Sequence, residues 1–379
     1  MDIEDYRKIY NKVTGCVLSA FAGEDTTENV VFSPLSILLL LGMAAEAVQG
    51  RSREEITKVI AGNKSFGELE GILHQMQSAF ADDGAFLSAN AVCINRSIRR
   101  SINKNFEGHL REVFDGKLFL SNNMAADVNR WVYRKTKRMI PNVLDAPADD
   151  MLACLINAVA FKAQWEDPYE DGQVDEGDFH NADGSVTTVQ MMNNSESSYI
   201  EDESFTGFVR PYRGGKYAFM ALLPKERGSR AFSHHALEQI DFTALFESAC
   251  HRTVYASLPQ FRYDFGRDLT GFCQEMGITT IFTQEADFSP LSAEWLRMDS
   301  ILHKAHITVD QCGTKAAAAT LGVVVAGCAI DFDFKEVCLD RPFIYAIMNT
   351  ETGLPVFTGL LNDMSQKNRA RKVITWRKH

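Results

Sequence analysis

The sequence lacks the short signatures that announce most enzymes. There is no GxSxG, and so no nucleophile elbow of an α/β-hydrolase, and no GxxxxGK[ST], GxGxxG or HExxH. Eight cysteines (Cys16, Cys93, Cys154, Cys250, Cys273, Cys312, Cys328 and Cys338) form no CxxC or other zinc spacing. Scattered through 379 residues, they read as free thiols, which favours a reducing compartment. His234-His235 is a lone pair with no further ligand at metal spacing, so no metal or cofactor is expected. Long apolar runs are missing too. The longest early uncharged run, Asn29 to Ala45, is 17 residues, short of the ~18–20 that span a bilayer, and is interrupted by Ser33, Pro34, Ser36 and Gly42. Positive charge is scarce: 39 Lys and Arg against 50 Asp and Glu give −11, which excludes a broad nucleic-acid-binding face.

The opening MDIEDYRKIYNK carries no apolar run and is no signal peptide. The expectation is a cytoplasmic protein, or a secreted one whose leader has been removed. The sequons at Asn63, Asn95 and Asn193 read as chance matches.

What is present is enough apolar material, 45%, for a large core. Length alone suggests two or three domains, but no internal repeat or Pro/Ser/Gly linker marks a boundary. Residues 367–379 hold six Lys or Arg and no acid, a basic tail that is either a solvated end or a docking segment. Ile3, Tyr6, Tyr10, Val13, Val17 and Phe21 have helical spacing. Pro34 opens a buried helix with Ser33 as its N-cap. Ser52 to Glu55 reads as a capping box ahead of Ile56 and Val59. Residues 66–80 and 102–114 are also helical, and Asn129 to Met139 forms a helix that Pro141 ends. Later the pattern shifts to strands: Leu152 to Phe161, Tyr217 to Leu223, and a hairpin of Phe343–Met348 with Leu354–Leu361. Helices early and strands late make the class α+β.

Residues 316–330, AAAATLGVVVAGCAI, are fifteen without a charge. Four alanines favour a helix; Thr320, Gly322 and three valines oppose its continuation, so the stretch is locally undecided. As a strand, one face carries Thr314, Ala316, Ala318, Thr320, Gly322, Val324 and Ala326, all small. Such a face can slide between two existing strands without opening a hole.

Several motifs, in order, resemble the serpins. Phe32-Ser33-Pro34-Leu35-Ser36 is similar to the family's FSPxS helix start. Asn129-Arg130-Trp131-Val132 with Thr136 and Ile140 is similar to its NxWV…T…I segment. Leu155-Ile156-Asn157-Ala158 followed by Phe161-Lys162-Ala163-Gln164-Trp165 resembles LxNAxxFKxxW. Met276 to Thr279 with Phe282 and Ala286 to Ser289 resembles GIT…F…ADxS; Leu302-His303-Lys304-Ala305 precedes the hinge, and Val337 to Ile347 fits the Pro-Phe signature.

The resemblance implies one domain, over 1–366, of three β-sheets and about eight or nine helices, with an exposed reactive loop at about 311–334. It implies a metastable suicide inhibitor of proteases, not an enzyme: the protease cuts the loop, forms an acyl-enzyme, and is trapped when the loop inserts as a new strand of the large sheet. Carried over, the hinge is Gly313, Thr314, Lys315, Ala316, Ala317, Ala318, Ala319 and Thr320, whose small residues match inhibitory members. The shutter beneath the sheet is Ser33, Ser36, Asn157 and His303, and the breach at its top is Trp165 with Gln260 and Gln311. The last two stand where the family usually pairs Lys with Glu, and an amide–amide contact between them is expected. The scissile bond falls at Gly327–Cys328, flanked by Val324, Val325, Ala326 and Ala329. With no Arg or Lys from 316 to 334, trypsin-like targets are disfavoured, and an elastase-like or subtilisin-like serine protease fits. A papain-like cysteine protease stays open, as do a non-inhibitory serpin acting as carrier or chaperone and a hydrolase with an unrecognised triad. The expected partner is thus a protease, with no nucleic acid and no membrane, for a monomer capable of loop-sheet polymerisation.

Overall fold

A computed structural model describes residues 3–23, 27–62, 64–81, 84–96, 101–145, 151–228, 232–314 and 334–365. Lys315–Thr320, the scissile bond and its flanks, Cys328 and the basic tail lie outside them.

The first half is mainly helical: α1 (Ile3–Ala22), α2 (Pro34–Ala47), α3 (Arg51–Ala61), α4 (Phe66–Ala81), α5 (Lys104–Phe114) and α6 (Met124–Lys135). Short helices α7 (His234–Glu238), α8 (Phe242–Glu247) and α9 (Thr270–Glu275) follow. The uncharged run seen in the sequence is α2, buried at every residue but Glu46, as a helix apolar on all sides must be. Ser33 caps it, its hydroxyl accepting from Ser36 N–H at 3.2 Å. Gly42 lets α2 approach its neighbours, since a Cβ there would lie 2.7 Å from the Phe114 ring.

Two helix boundaries differ from expectation. α3 starts at Arg51 after Gly50, whose φ of +60° turns the chain, so Ser52 lies inside the helix and caps nothing. Glu55 instead accepts from the N–H groups of Thr279 and Thr280, both at 2.9 Å. The reciprocal capping box is at Ser65 and Glu68, ahead of α4. α6 runs earlier than expected and ends before Lys137 and Arg138, both at positive φ, rather than at Pro141. Asn129 then holds the following loop, its Oδ1 accepting from Val143 N–H (2.8 Å) and Leu144 N–H (3.0 Å).

The large sheet is built from β2 (Phe86–Ile94), β3 (Gly116–Leu120), β4 (Ala153–Phe161), β5 (Ala163–Gln164), β11 (Phe261–Asp268), β12 (Met298–Asp310) and β13 (Gly313–Thr314). β3 is one edge, followed by β2 and β4; β4 pairs in parallel with β12, and β11 pairs antiparallel on the far side of β12. The other strands are β1 (Val30–Phe32), β6 (Val174–His180), β7 (Val186–Glu201), β8 (Phe205–Pro211), β9 (Tyr217–Pro224), β10 (Cys250–Pro259), β14 (Lys335–Cys338), β15 (Phe343–Asn349) and β16 (Leu354–Leu361). Their hydrogen bonds form one nine-stranded sheet where two sheets were expected. The joint is β7: its 16 residues pair with β6 near one end, β8 at the other and β10 along the opposite edge. The main core lies between the sheets and α1 to α5. A second, smaller core forms where Val128, Trp131 and Val132 of α6 cover Ala91, Cys93, Cys154 and Ile156 of β2 and β4. No helix among the described residues is long and apolar enough to cross a membrane.

Candidate functional site: the seam between two strands of the large sheet

β4 and β12 are hydrogen-bonded directly to each other, from Ala153 opposite Met298 to Ala160 opposite His306. Beyond Lys162 the line of β4 continues as β5, and the two lines part. β13 fills the gap: Gly313 and Thr314 pair with Asp310 and Val309 of β12 on one side and with Gln164 and Ala163 on the other. The first two residues of the expected hinge thus sit at the top of the seam, folded back by the turn at Gln311-Cys312.

That turn is built by Asp310, whose Oδ1 accepts from Cys312 N–H (2.9 Å) and Gly313 N–H (3.2 Å). Burial pushes the Asp310 carboxyl above its ordinary range, and these two bonds oppose the shift. Gly313 has φ +145°, and a Cβ there would lie 2.3 Å from the Ala163 carbonyl oxygen, so glycine is required. Thr314 is fully buried and its Oγ1 bonds Tyr212 Oη at 2.7 Å. Tyr212 stacks on Trp165, with centroids 4.5 Å apart and planes at 9°. The buried Trp165 ring donates from Nε1 to the Asp310 carbonyl (2.9 Å), and its backbone N–H donates to Cys312 O (3.1 Å). Behind it, Arg210 lies over the Trp165 and Tyr169 rings and pairs with the buried Glu196. Burial raises the Glu196 carboxyl against the opposing pull of Arg210.

The expected contact between Gln260 and Gln311 is replaced. Gln311 Nε2 donates to Asp171 Oδ1 at 3.4 Å, and Gln260 is held by its backbone N–H on Gln190 O at 2.8 Å. No hydrogen bond joins the two amides among the described residues. The pairing of Phe261 with Val309 brings both to the same end of the sheet, but the turn after Asp310 directs Gln311 towards the segment after Trp165, where its carbonyl accepts from Tyr169 N–H.

Lower on the seam, a polar chain crosses it. His303 of β12 faces Asn157 of β4 in register. Ser33 N–H donates to His303 Nε2 (3.4 Å), which makes Nδ1 the protonated nitrogen, donating to Asn157 Oδ1 at 2.9 Å. Asn157 Nδ2 donates to Asn90 Oδ1 (2.7 Å), and Asn90 Nδ2 to the Phe114 carbonyl at the end of α5 (2.8 Å). Ser33, Ser36, Asn90, Asn157 and His303 are all buried, and burial lowers the His303 pKa to about 3, so the ring is neutral. Ser36 supports the cluster through its N–H on Ser33; its hydroxyl, buried, has no hydrogen-bond partner among the described atoms.

Asn90, Asp310, Tyr212 and Arg210 were missed in the sequence. Each lies on an element whose local pattern reads as ordinary strand or turn, and only the register places it at the seam. On the far side of the loop, Phe334 is half exposed and packs edge-on against Tyr255 (4.9 Å), next to β14. Among the described residues, one set of side chains has metal-ligand proximity, Glu46, Glu70 and His109: His109 lies 2.9 Å from Glu46 and 3.4 Å from Glu70. His234 contacts Ser19 instead of a second ligand. The seven cysteines among the described residues are free.

The family model for Serpin (serine protease inhibitor) matches residues 9–364. Iripin-2 of Ixodes ricinus is 29% identical over 355 residues, covering 89% of this chain and 88% of its own. Among solved structures, the thermophilic serpin tengpin in its native state superposes with a TM-score of 0.84 at 31% identity over 94% of both chains. Tengpin in its latent state gives 0.78 at 28%, over 94% of this chain and 98% of its own. The chain belongs to the serpin family, whose members are in general protease inhibitors and not enzymes.

Proposed function

We propose that this serpin is an inhibitor that traps its protease by inserting the cut loop between β4 and β12. The observation that carries the reading is the wedge at the top of the seam: Gly313 and Thr314 already lie between the parted strands, while the strands below pair with each other. The small-residue run Ala316–Ala319 follows directly in the sequence. Insertion exchanges one strand pairing for two and buries apolar side chains at roughly 25 cal/mol per Å². A loop tethered at both ends withholds that free energy until it is cut.

In the proposed reaction the protease nucleophile attacks the Gly327 carbonyl. The amine of Cys328 leaves with a proton, and an ester (or thioester) joins Gly327 to the enzyme. Residues Gly313 to Thr320 then zip into the seam from the top, with Trp165, Tyr212 and Asp310 as the entry and the Ser33–His303–Asn157–Asn90 chain as the lock that must part. The apolar positions Val324, Val325 and Ala326 suit an elastase-like or subtilisin-like serine protease. Free thiols favour a reducing compartment, the cytoplasm, for the protein.

The test is incubation with pancreatic-type elastase and with subtilisin, followed by denaturing electrophoresis and mass spectrometry. A complex stable to heat and detergent, with release of a fragment starting at Cys328, is expected. Turnover of the loop without complex by both enzymes and by papain overturns the reading.

A further inference from the structure

Away from the seam, α2, α4 and α5 pack against one another and bring three potential metal ligands together. Glu46 stands next to the last residue of α2, Glu70 in the second turn of α4 and His109 midway along α5. Their donor atoms, one from each residue, all lie within 4.8 Å of one another. His109 Nδ1 is 2.9 Å from Glu46 Oε1, and its Nε2 is 3.4 Å from Glu70 Oε1. Glu70 Oε1 is closed to solvent yet accepts no hydrogen bond, from His109 or from any other described group. Arg53 acts on Glu70 from a distance, but its guanidinium is used elsewhere. It donates to the carbonyls of Ala45, Glu46 and Val48 at the end of α2 and lies over the Phe66 ring. Among the described residues no Lys or Arg pairs with Glu46 or Glu70.

Two carboxylates held this close, and shielded from water, are costly to ionise together. Burial and the Glu46 charge push the Glu70 carboxyl above its ordinary range. A proton on His109 offsets one of the two charges and leaves Glu70 Oε1 unbonded. A divalent cation offsets both and gives that oxygen a partner. The donor types select the cation. Calcium and magnesium take oxygen ligands and want six or more of them. One imidazole nitrogen with two carboxylate oxygens suits zinc, which takes four ligands and keeps water in the fourth place when the protein supplies three. Donors around tetrahedral zinc stand roughly 3.4 Å apart, so the cluster must tighten, which the half-exposed His109 ring permits. No spacing in the sequence announces the set, because each ligand comes from a different helix.

We propose that Glu46, Glu70 and His109 bind a zinc ion, which fastens α2, α4 and α5 to one another. The polar chain through His303, Asn157 and Asn90 is anchored at the start of α2 and the end of α5. A metal joining these two helices stiffens the frame that holds that chain. Zinc binding itself does not depend on the inhibitory reading.

The experiment strips the full chain of metal with EDTA, removes the chelator, and titrates the protein calorimetrically at neutral pH with zinc, calcium and magnesium chlorides. Melting temperatures are read in parallel. One zinc per chain with a raised melting temperature is expected, and no binding of calcium or magnesium. Glu70→Gln and His109→Gln are each expected to weaken zinc binding by at least about tenfold, a loss that removing even an outer-shell partner brings, and to abolish the rise in melting temperature. Because the free thiols also attract zinc, cobalt(II) is then bound in its place. Imidazole and carboxylate ligation is expected to give weak visible bands without thiolate-to-cobalt charge-transfer absorption. The proposal is overturned if zinc does not bind, if calcium or magnesium binds as tightly, if binding survives either substitution, or if the cobalt protein shows thiolate charge transfer.

Discussion

His303 of β12 and Asn157 of β4 face each other in register across the pairing of these two strands, joined Nδ1 to Oδ1 at 2.9 Å. Around them, Ser33 and Asn90 extend the chain from the start of α2 to the end of α5, so one row of side chains clamps both halves of the sheet to the helices beneath. His303→Ala removes the central member and leaves a buried Asn157 oxygen and a buried Ser33 N–H without partners. The expected loss is about 2–5 kcal/mol, read as a lower melting temperature, with faster polymer formation on native gels during mild heating.

The same histidine gives a pH dependence. Its ordinary pKa of 6.5 applies to the unfolded chain, whereas burial holds it at about 3 in the folded protein. Below about 6.5 the unfolded state takes up a proton that the folded state refuses. The stability tied to the neutral ring is therefore complete above that pH and is lost as pH falls towards 3, by about 1.4 kcal/mol per unit. Urea denaturation at pH 7.5 and 5.0 should show this slope, and His303→Gln, which keeps a donor and an acceptor, should flatten it.

At the top of the seam, Gly313→Val places a side chain against the Ala163 carbonyl at an unfavourable φ. The hinge is expected to leave the sheet, at a cost of about 1–3 kcal/mol, and to break the Thr314–Tyr212 bond. Limited proteolysis should then cut near residues 311–316 faster than in the wild type. An unchanged rate contradicts the placement of β13.

The buried Arg210–Glu196 pair behind Trp165 behaves differently from a surface ion pair. Arg210→Met strands Glu196 and is expected to destabilise the protein by about 3–5 kcal/mol, while adding Glu196→Leu should recover most of the loss. A double-mutant cycle on melting temperatures measures the recovery.

Much of this was legible in the sequence because it rests on local pattern. The apolar run of α2, its Ser33 cap, the uncharged β4 and the β15–β16 hairpin carry their own signals, and Asn157, His303 and Trp165, singled out by the family motifs, lie on β4, on β12 and just after β5. What escaped was set by register between distant segments. Asn90 joins the polar chain because β2 pairs with β4, and Tyr212 reaches Thr314 because β8 ends beside Trp165. The Ser52–Glu55 box failed because Gly50 turned the chain one residue earlier, and Glu55 found backbone donors more than 220 residues away. The amide pair failed for a similar reason: Gln260 and Gln311 share an end of the sheet, but the Asp310 turn points Gln311 at Asp171.

The central claim is that the seam between β4 and β12 accepts the loop once it is cut. The most direct measurement is the melting temperature of the protein before and after cleavage within residues 324–329 by a catalytic amount of protease. Insertion predicts a rise of roughly 10 °C or more, since each kcal/mol moves a chain of this size by about 2 °C. A melting temperature that is unchanged or lower after cleavage contradicts insertion.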